Sequence, residues 1–343
     1  MAIDCSRIRR PGAAATLALG LLLVACDGTS AGDDAAGSVA AQINPENVLI
    51  IEQVEDSDIP VRLMYVEVID GLYAPIGIRK PAGDGPFPMV LFASGNGGGG
   101  MAWIREATRN RSWAQERLVE AGYAVAWLRY RAEVELGYNN GGKLVQGVRQ
   151  GRQLLNRSPL EYEDEIAIIE FVKKLDFVDP DRIGIVGLSH GGEMVLKILS
   201  EYGGVAVGIA NEPASHEFLA LRPPEESTSV SQDTKMRDLE EMQLRTASAV
   251  RSRVDLDVAL ARIATINTPV LVMGRDQDHL QGIFRTTYEL MAEAGKDVEW
   301  VSYEHPEHGY IYPYRGEDGA YRVDDVQIEA LGKAIAYLDR YLK

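Results

Sequence analysis

From residue 47 onward, nearly unbroken apolar runs alternate with stretches whose apolar residues recur every three or four positions. The runs are typical of strands buried on both faces, and the spaced stretches are typical of helices with one buried face. The predicted strands are "VLIIEQV", "VRLMYVEVI", "LYAPIGIRKP", "FPMVLFAS", "AVAWLRY", "RIGIVGLS", "VAVGIA", "PVLVMG" and "VEWVSYE". We therefore predict a mostly parallel α/β sheet with helices on both faces. The first strands have no helix between them, which favours an antiparallel N-terminal edge.

Two further segments shape the predicted architecture. The stretch "SPLEYEDEIAIIEFVKKL" predicts a helix with Ser158 as N-cap and Glu161 completing a capping box. Residues about 215–266 contain no convincing strand and look helical. We expect this insertion to form a helical cap over the carboxyl ends of the strands, with a peripheral decoration as the alternative.

A possible nucleophile lies where one apolar strand meets a helix. Residues 187–191 read Gly-Leu-Ser-His-Gly, the G-x-S-x-G pattern of a nucleophile elbow. The sharp turn needs small neighbours two positions from Ser189, and Gly187 and Gly191 supply them. The pattern predicts that Ser189 is raised above the sheet, with the N-terminus of the next helix directed at the site.

A serine hydroxyl needs a base, and the base needs an acid that orients it. Of the five histidines, His308 is the favoured base, because Gly309 lets the chain bend over the site; His305 is the competitor. Asp278 is the favoured acid and Asp276 the alternative, since both follow the strand "PVLVMG". The chain order Ser189, Asp278, His308 is that of α/β-hydrolases.

The glycine-rich stretch "ASGNGGGGM" supports two interpretations. It follows a strand, so backbone N–H groups of Asn96 or Gly97, together with that of His190, would form an oxyanion hole. The same loop fits G-x-G-x-x-G, which could hold a dinucleotide pyrophosphate. That fingerprint expects an acidic residue after the next strand, but "AVAWLRYR" ends in arginines. A dinucleotide-binding protein therefore remains an alternative only.

The N-terminal segment differs from the rest of the chain. The apolar stretch "PGAAATLALGLLLVA" follows "SRIRR" and is shorter than the ~20 residues that a bilayer span needs. It ends in "LVAC", which resembles a bacterial lipobox. The resemblance implies a signal peptide over 1–25 and a lipid anchor at Cys26, in the cell envelope facing the periplasm or exterior. An ordinary signal peptide is the alternative. Residues 26–46 predict a flexible tether, because they contain few large apolar side chains.

Charge and composition narrow the classes of partner. The chain of 343 residues is 46% hydrophobic and has a formal net charge of -16. This acidity argues against a nucleic-acid partner, because phosphate binding requires clustered Lys and Arg. A metal is not expected either, since Pro306 disfavours the helix on which His305 and His308 would clamp an ion.

Three motifs together resemble the α/β-hydrolase superfamily, near the prolyl oligopeptidase catalytic domain and the dienelactone hydrolases. They are "VDPDRIGIVGLSHGG", "PVLVMGRDQD" and "HPEHGY". The resemblance covers most of the predicted domain at 47–343 and implies an α/β-hydrolase fold. It also implies a serine hydrolase with Ser189 as nucleophile, His308 as base and Asp278 as orienting acid.

Departures from the family pattern bear on the substrate. The family's arginine-glycine stretch is replaced by "RYRAEVELGY". An N-terminal propeller, which selects peptides in prolyl oligopeptidases, has no room in this sequence. We therefore expect an esterase without a cofactor that acts on a small ester or short peptide, and whose membrane contact is the lipid anchor. A peptidase and a non-catalytic binding lipoprotein are the alternatives.

Overall fold

A computed structural model of the chain describes residues 48–55, 57–68, 73–95, 100–129, 154–222 and 244–343. These residues all belong to one unit, Val39–Lys343. The predicted signal peptide at 1–25, the tether at 26–46 with Cys26, the loop residues Asn96 and Gly97, and residues 223–243 of the predicted cap lie outside the described residues.

The nine strands of the sheet match the nine predicted apolar segments. They are β1 (Val48–Val54), β2 (Ser57–Glu67), β3 (Tyr73–Arg79), β4 (Phe87–Ala93), β5 (Ala124–Leu128), β6 (Val178–Leu188), β7 (Val207–Asn211), β8 (Val270–Arg275) and β9 (Val298–Tyr303). Their order across the sheet is β1-β2-β3-β5-β4-β6-β7-β8-β9. Strands β1 to β3 pair antiparallel, β3 pairs antiparallel with β5, and all later pairs are parallel. The antiparallel N-terminal edge is therefore confirmed.

Helices cover both faces of this sheet. They are α1 (Gly100–Asn110), α2 (Trp113–Glu120), α3 (Leu154–Val172), α4 (His190–Glu201), α5 (Ala247–Arg253), α6 (Leu256–Thr265), α7 (Gln281–Glu293) and α8 (Asp325–Leu342). Buried side chains of α1, α2 and α8 share one apolar cluster with the sheet, and those of α3, α4, α6 and α7 share the other. Each face of the sheet therefore has its own core, as a sheet of buried strands requires.

The helix predicted to begin at Ser158 and the insertion predicted at about 215–266 have different outcomes. The prediction that Ser158 is an N-cap is wrong, because α3 already includes Leu154. In the predicted insertion, α5 contacts α7 and α6 contacts α4. The cap itself stays a prediction, because residues 223–243 lie outside the described part.

The parallel strands fix where a functional site can form. Strands β4, β6, β7 and β8 run in one direction, so their carboxyl ends meet at one edge of the sheet. Open α/β sheets bind ligands at this edge. None of the helices within the described ranges is long and apolar enough to cross a bilayer.

Candidate active site

Ser189 occupies a strained turn between β6 and α4. Its backbone has φ 57° and ψ -115°, although it is not a glycine. A Cβ on Gly187 would lie 2.1 Å from the Gly191 carbonyl oxygen, and one on Gly191 would lie 2.2 Å from the Ala93 oxygen. Both positions therefore exclude any side chain. Strain of this kind persists where the surrounding structure fixes it, typically at functional sites.

Hydrogen bonds to neighbouring segments hold this turn in place. The Ser189 N–H donates to the Asn211 carbonyl at the end of β7 (3.0 Å). The Ser189 carbonyl accepts from Glu193 N–H (3.2 Å) and from Ala214 N–H (3.0 Å). The strained conformation is thus tied both to its own helix and to the segment that follows β7.

Asp278 and His308 meet at the same edge of the sheet. Asp278 lies in the loop after β8, and its Oδ2 is 2.8 Å from His308 Nδ1. The other oxygen, Oδ1, accepts from Leu280 N–H at 2.7 Å, and Arg275 Nη2 donates to Oδ2 at 2.6 Å. Burial raises the pKa of Asp278, but these contacts outweigh burial and lower the pKa below its usual value. Asp278 is therefore an anion that orients the imidazole.

The competing residues have other partners. The Asp276 carboxylate accepts from the Ser302 hydroxyl on β9, and its N–H donates to the Tyr303 carbonyl (3.0 Å). His305 accepts from Glu307 N–H at Nδ1 (3.1 Å) and has its Nε2 3.3 Å from Asp324. Among the described residues, the predicted acid and the predicted base that contact each other are thus Asp278 and His308.

The loop that carries His308 packs against the elbow. Gly309 has φ 77°, and a Cβ there would lie 2.8 Å from the Leu188 side chain, next to Ser189. Burial lowers the pKa of His308, while contacts with Asp278 and Glu212 raise it, with a net value of about 9. The imidazole is thus more basic than an ordinary histidine.

Glu212 is a member of the site that the sequence did not reveal. It directly follows β7, has φ 47°, and is fully buried (0% exposed). Its Oε2 accepts from Gly309 N–H (2.7 Å), and its Oε1 lies 3.4 Å from His308 Nδ1. The available signal was an acidic residue at a strand's carboxyl end, in "VAVGIANEP". Glu212 both fixes the His308 loop and adds a second negative charge to the base.

The cluster of Glu212, Asp278 and His308 also has the ligand types of a metal site. Their ligand atoms lie within 4.8 Å of one another. However, Arg275 lies 3.3 Å from Glu212 Oε1 and 2.6 Å from Asp278 Oδ2. The guanidinium thus supplies a positive charge to both carboxylates. The chemistry that this arrangement supports is proton transfer at His308.

The predicted oxyanion loop begins beside the nucleophile. A Cβ on Gly95 would lie 3.3 Å from the Leu188 carbonyl oxygen and 3.5 Å from Ser189 Cβ. The Gly95 carbonyl accepts from Arg129 Nη1 at 3.0 Å, and the Arg129 guanidinium stacks 3.6 Å from the centre of Trp103. His190 begins α4 and is buried. Asn96 and Gly97 lie outside the described residues, so their role stays a prediction.

A small cavity of about 40 Å³ adjoins the elbow. Gly95 and Leu188 form the part of its wall that touches the nucleophile turn, and aromatic rings form much of the rest. Its size is suited to a short chemical group, because one water needs roughly 10–15 Å³ of such volume.

Comparisons with known proteins identify the family and the fold. The sequence profile of the prolyl oligopeptidase family matches residues 109–327. A 2,6-dihydropseudooxynicotine hydrolase of Paenarthrobacter nicotinovorans is 27% identical over 190 residues, which is 54% of this chain and 45% of the relative. The chain thus spans less than half of that relative's length.

Solved structures share the fold. An acylaminoacyl peptidase of Pyrococcus horikoshii superposes with a TM-score of 0.56 and 18% identity, over 83% of this chain and 42% of that one. An esterase of Pyrococcus furiosus superposes with a TM-score of 0.51 and 17% identity, over 82% and 91% respectively. The fold is therefore that of the α/β-hydrolases, as predicted.

Proposed function

Because this chain belongs to the prolyl oligopeptidase family and is a hydrolase of the α/β-hydrolase superfamily, we propose that it cleaves carboxylic esters through an acyl-enzyme. Ser189 is the nucleophile, His308 the base and Asp278 the orienting acid. The observation that carries the proposal is the 2.8 Å contact between Asp278 and His308 at the sheet edge where Ser189 occupies its strained turn.

The proposed reaction has two steps. His308 takes the hydroxyl proton as Ser189 Oγ attacks the ester carbonyl, and backbone N–H groups of Asn96 or Gly97 and of His190 stabilise the oxyanion. His308 then gives that proton to the leaving alcohol. A water attacks the acyl-enzyme with the same proton transfers, which releases the acid and restores Ser189.

Two features support an ester rather than a peptide as substrate. The cavity beside the elbow is small, at about 40 Å³, which suits a short acyl group. The stretch "RYRAEVELGY" stands where the family's peptidases carry their arginine-glycine motif. A peptidase is the second candidate, because the family profile and the Pyrococcus horikoshii acylaminoacyl peptidase both bear peptidase names.

The test compares Ser189→Ala with Ser252→Ala, a control at an exposed serine on α5. We expect a fluorophosphonate probe to label the wild type and Ser252→Ala but not Ser189→Ala. Hydrolysis of 4-nitrophenyl butyrate should fall to background in Ser189→Ala, a loss on the order of 10⁶-fold in comparable triads. Absence of labelling in folded wild type would contradict the proposal. Faster turnover of aminoacyl-4-nitroanilides than of the ester would favour the peptidase.

We also propose that the protein is anchored in the bacterial cell envelope through a lipid on Cys26. The support is the lipobox-like "LVAC" after an apolar segment and the tether composition of residues 26–46. A tether of this kind would let the hydrolase domain reach substrates near the membrane surface.

A further inference from the structure

The cavity beside the elbow combines an apolar wall with one charged side chain. Its wall includes the rings of Phe92, Trp103, Trp127 and Tyr312, and its polar side chains include Arg111 and Gln115. Arg111 directly follows α1, at the start of the short connection to α2. Arg111 is half-buried there, and a charge that is partly removed from water is costly unless it is paired.

Arg111 has no ion-pair partner within the described residues. Arg111 Nε is buried without a hydrogen-bond partner, and the salt bridges found at up to 4.0 Å in the described ranges do not include this residue. Its guanidinium instead lies 3.6 Å from the centre of the Tyr314 ring. The carboxylates of Glu106 and Glu307 influence its charge only from a longer distance.

The other polar lining groups are already used. With its amide oriented to satisfy both partners, Gln115 accepts from Trp127 Nε1 (2.7 Å) and donates to the Arg111 carbonyl (2.7 Å). The Ser94 hydroxyl donates to the Leu128 carbonyl (2.7 Å). Among the described lining residues, the Arg111 side chain is therefore the polar group that is left to bind a ligand.

A second guanidinium lies near this wall. Arg129 is buried behind Trp103 and donates to the Gly95 carbonyl. Burial lowers the pKa of Arg111, and the positive charge of Arg129 lowers it further. A negative charge in the cavity would relieve both effects, since opposite charges favour each other most where water is excluded.

We propose that Arg111 forms an anion subsite that selects substrates carrying a carboxylate close to the scissile ester. This inference rests on the proposed function and specifies its substrate class. Arginine suits the role, because its planar fork binds a carboxylate through two hydrogen bonds. Arg111 lines the same cavity as Gly95 and Leu188, which lie next to the nucleophile turn. One short substrate would therefore carry its carboxylate to Arg111 and its ester carbonyl towards Ser189.

The test uses two pairs of esters that differ in charge but little in shape. In the first pair, monoethyl succinate carries a carboxylate on its acyl part, and ethyl levulinate is the neutral analogue. In the second pair, the anion of 4-acetoxybenzoic acid carries the carboxylate on its leaving group, and methyl 4-acetoxybenzoate is the neutral analogue. We expect wild type to prefer the anionic member of one pair in kcat/KM, and that pair identifies the side bound by Arg111.

Arg111→Gln should reduce that preference by about 10- to 100-fold, the usual value of a hydrogen-bonded charge, while the neutral ester changes little. Arg111→Lys keeps the charge without the fork, and should retain part of the preference even if the Gln variant folds poorly. Arg109→Gln is the matched control, because Arg109 lies in the last turn of α1, two residues before Arg111, with a side chain 64% exposed. This control should behave as wild type.

The possible results distinguish a failure of the anion subsite from a failure of the proposed esterase activity. If neutral esters are cleaved but the preference is absent or survives Arg111→Gln, the subsite is wrong and the esterase stands. Equal losses on charged and neutral esters would mean a structural role for Arg111 and would also overturn the subsite. If no ester is cleaved and fluorophosphonate does not label Ser189, the esterase proposal falls and this inference falls with it.

Discussion

At the scale of single residues, His308 lies between two carboxylates rather than one. Asp278 is 2.8 Å from Nδ1 and Glu212 is 3.4 Å from the same atom. Together they outweigh burial and raise the pKa of His308 to about 9. A general base must be neutral to accept a proton. The wild-type kcat/KM should therefore rise with pH as the imidazole loses its proton, reach half its maximum near pH 9 and level off above it.

Glu212→Gln tests the contribution of the second carboxylate. The negative charge of Glu212 raises the pKa of His308, so removing that charge should lower the pKa. The acidic limb of the pH–kcat/KM profile should move to lower pH, towards 6.5. Asp276→Asn is the control, because that carboxylate binds Ser302 rather than His308. An unchanged limb in Glu212→Gln, or one displaced to higher pH, would show that Glu212 acts only as a structural hydrogen-bond acceptor.

At the scale of elements, the strand-to-helix turn depends on a close approach between backbones. A Cβ on Gly191 would lie 2.2 Å from the Ala93 carbonyl oxygen on β4, well inside van der Waals contact. Because the main chain fixes the position of a Cβ and the oxygen belongs to the main chain, neither can rotate away. The start of α4 would have to move from β4, and Ser189 would move with it.

We therefore expect Gly191→Ala to reduce the free energy of unfolding by at least about 1–3 kcal/mol, as overpacking does, and to slow fluorophosphonate labelling of Ser189. Gly332→Ala is the matched control, because Gly332 lies inside α8 and a Cβ added there would have no neighbouring atom within 4 Å outside its own helix turn. This control should be neutral or slightly stabilising, since alanine favours helices. Urea denaturation and labelling rates provide the measurements. Equal stability of the two variants would contradict the steric argument.

Elements were more predictable than their ends. All nine strands appear where the apolar runs lie, because a strand buried on both faces needs an unbroken apolar sequence. The N-cap assigned to Ser158 failed, since α3 already contains Leu154. A true capping box occurs at α8, where Asp324 and Gln327 each accept from the other's backbone N–H at 2.8 and 2.9 Å.

At the scale of the whole molecule, the proposed lipid anchor determines where the hydrolase acts. We expect Cys26→Ala to abolish incorporation of a labelled fatty acid and to move the protein from the membrane to the soluble fraction. Cys5→Ala is the control, because that cysteine lies in the segment predicted to be removed. Both fractions can be followed by immunoblot. Retention of Cys26→Ala in the membrane fraction would refute the anchor.

The sequence by itself determined the sheet, the family and the candidate nucleophile, acid and base. Each of these depends on local information: an apolar run, a glycine pattern around Ser189, or a polar residue at a strand's end. Only the tertiary structure distinguished Asp278 from Asp276 at the base, and only it brought Glu212 to His308 and placed Arg111 beside the elbow with no ion-pair partner among the described residues. Those facts depend on the direction of each side chain and on contacts between segments far apart in the chain, which no local pattern encodes.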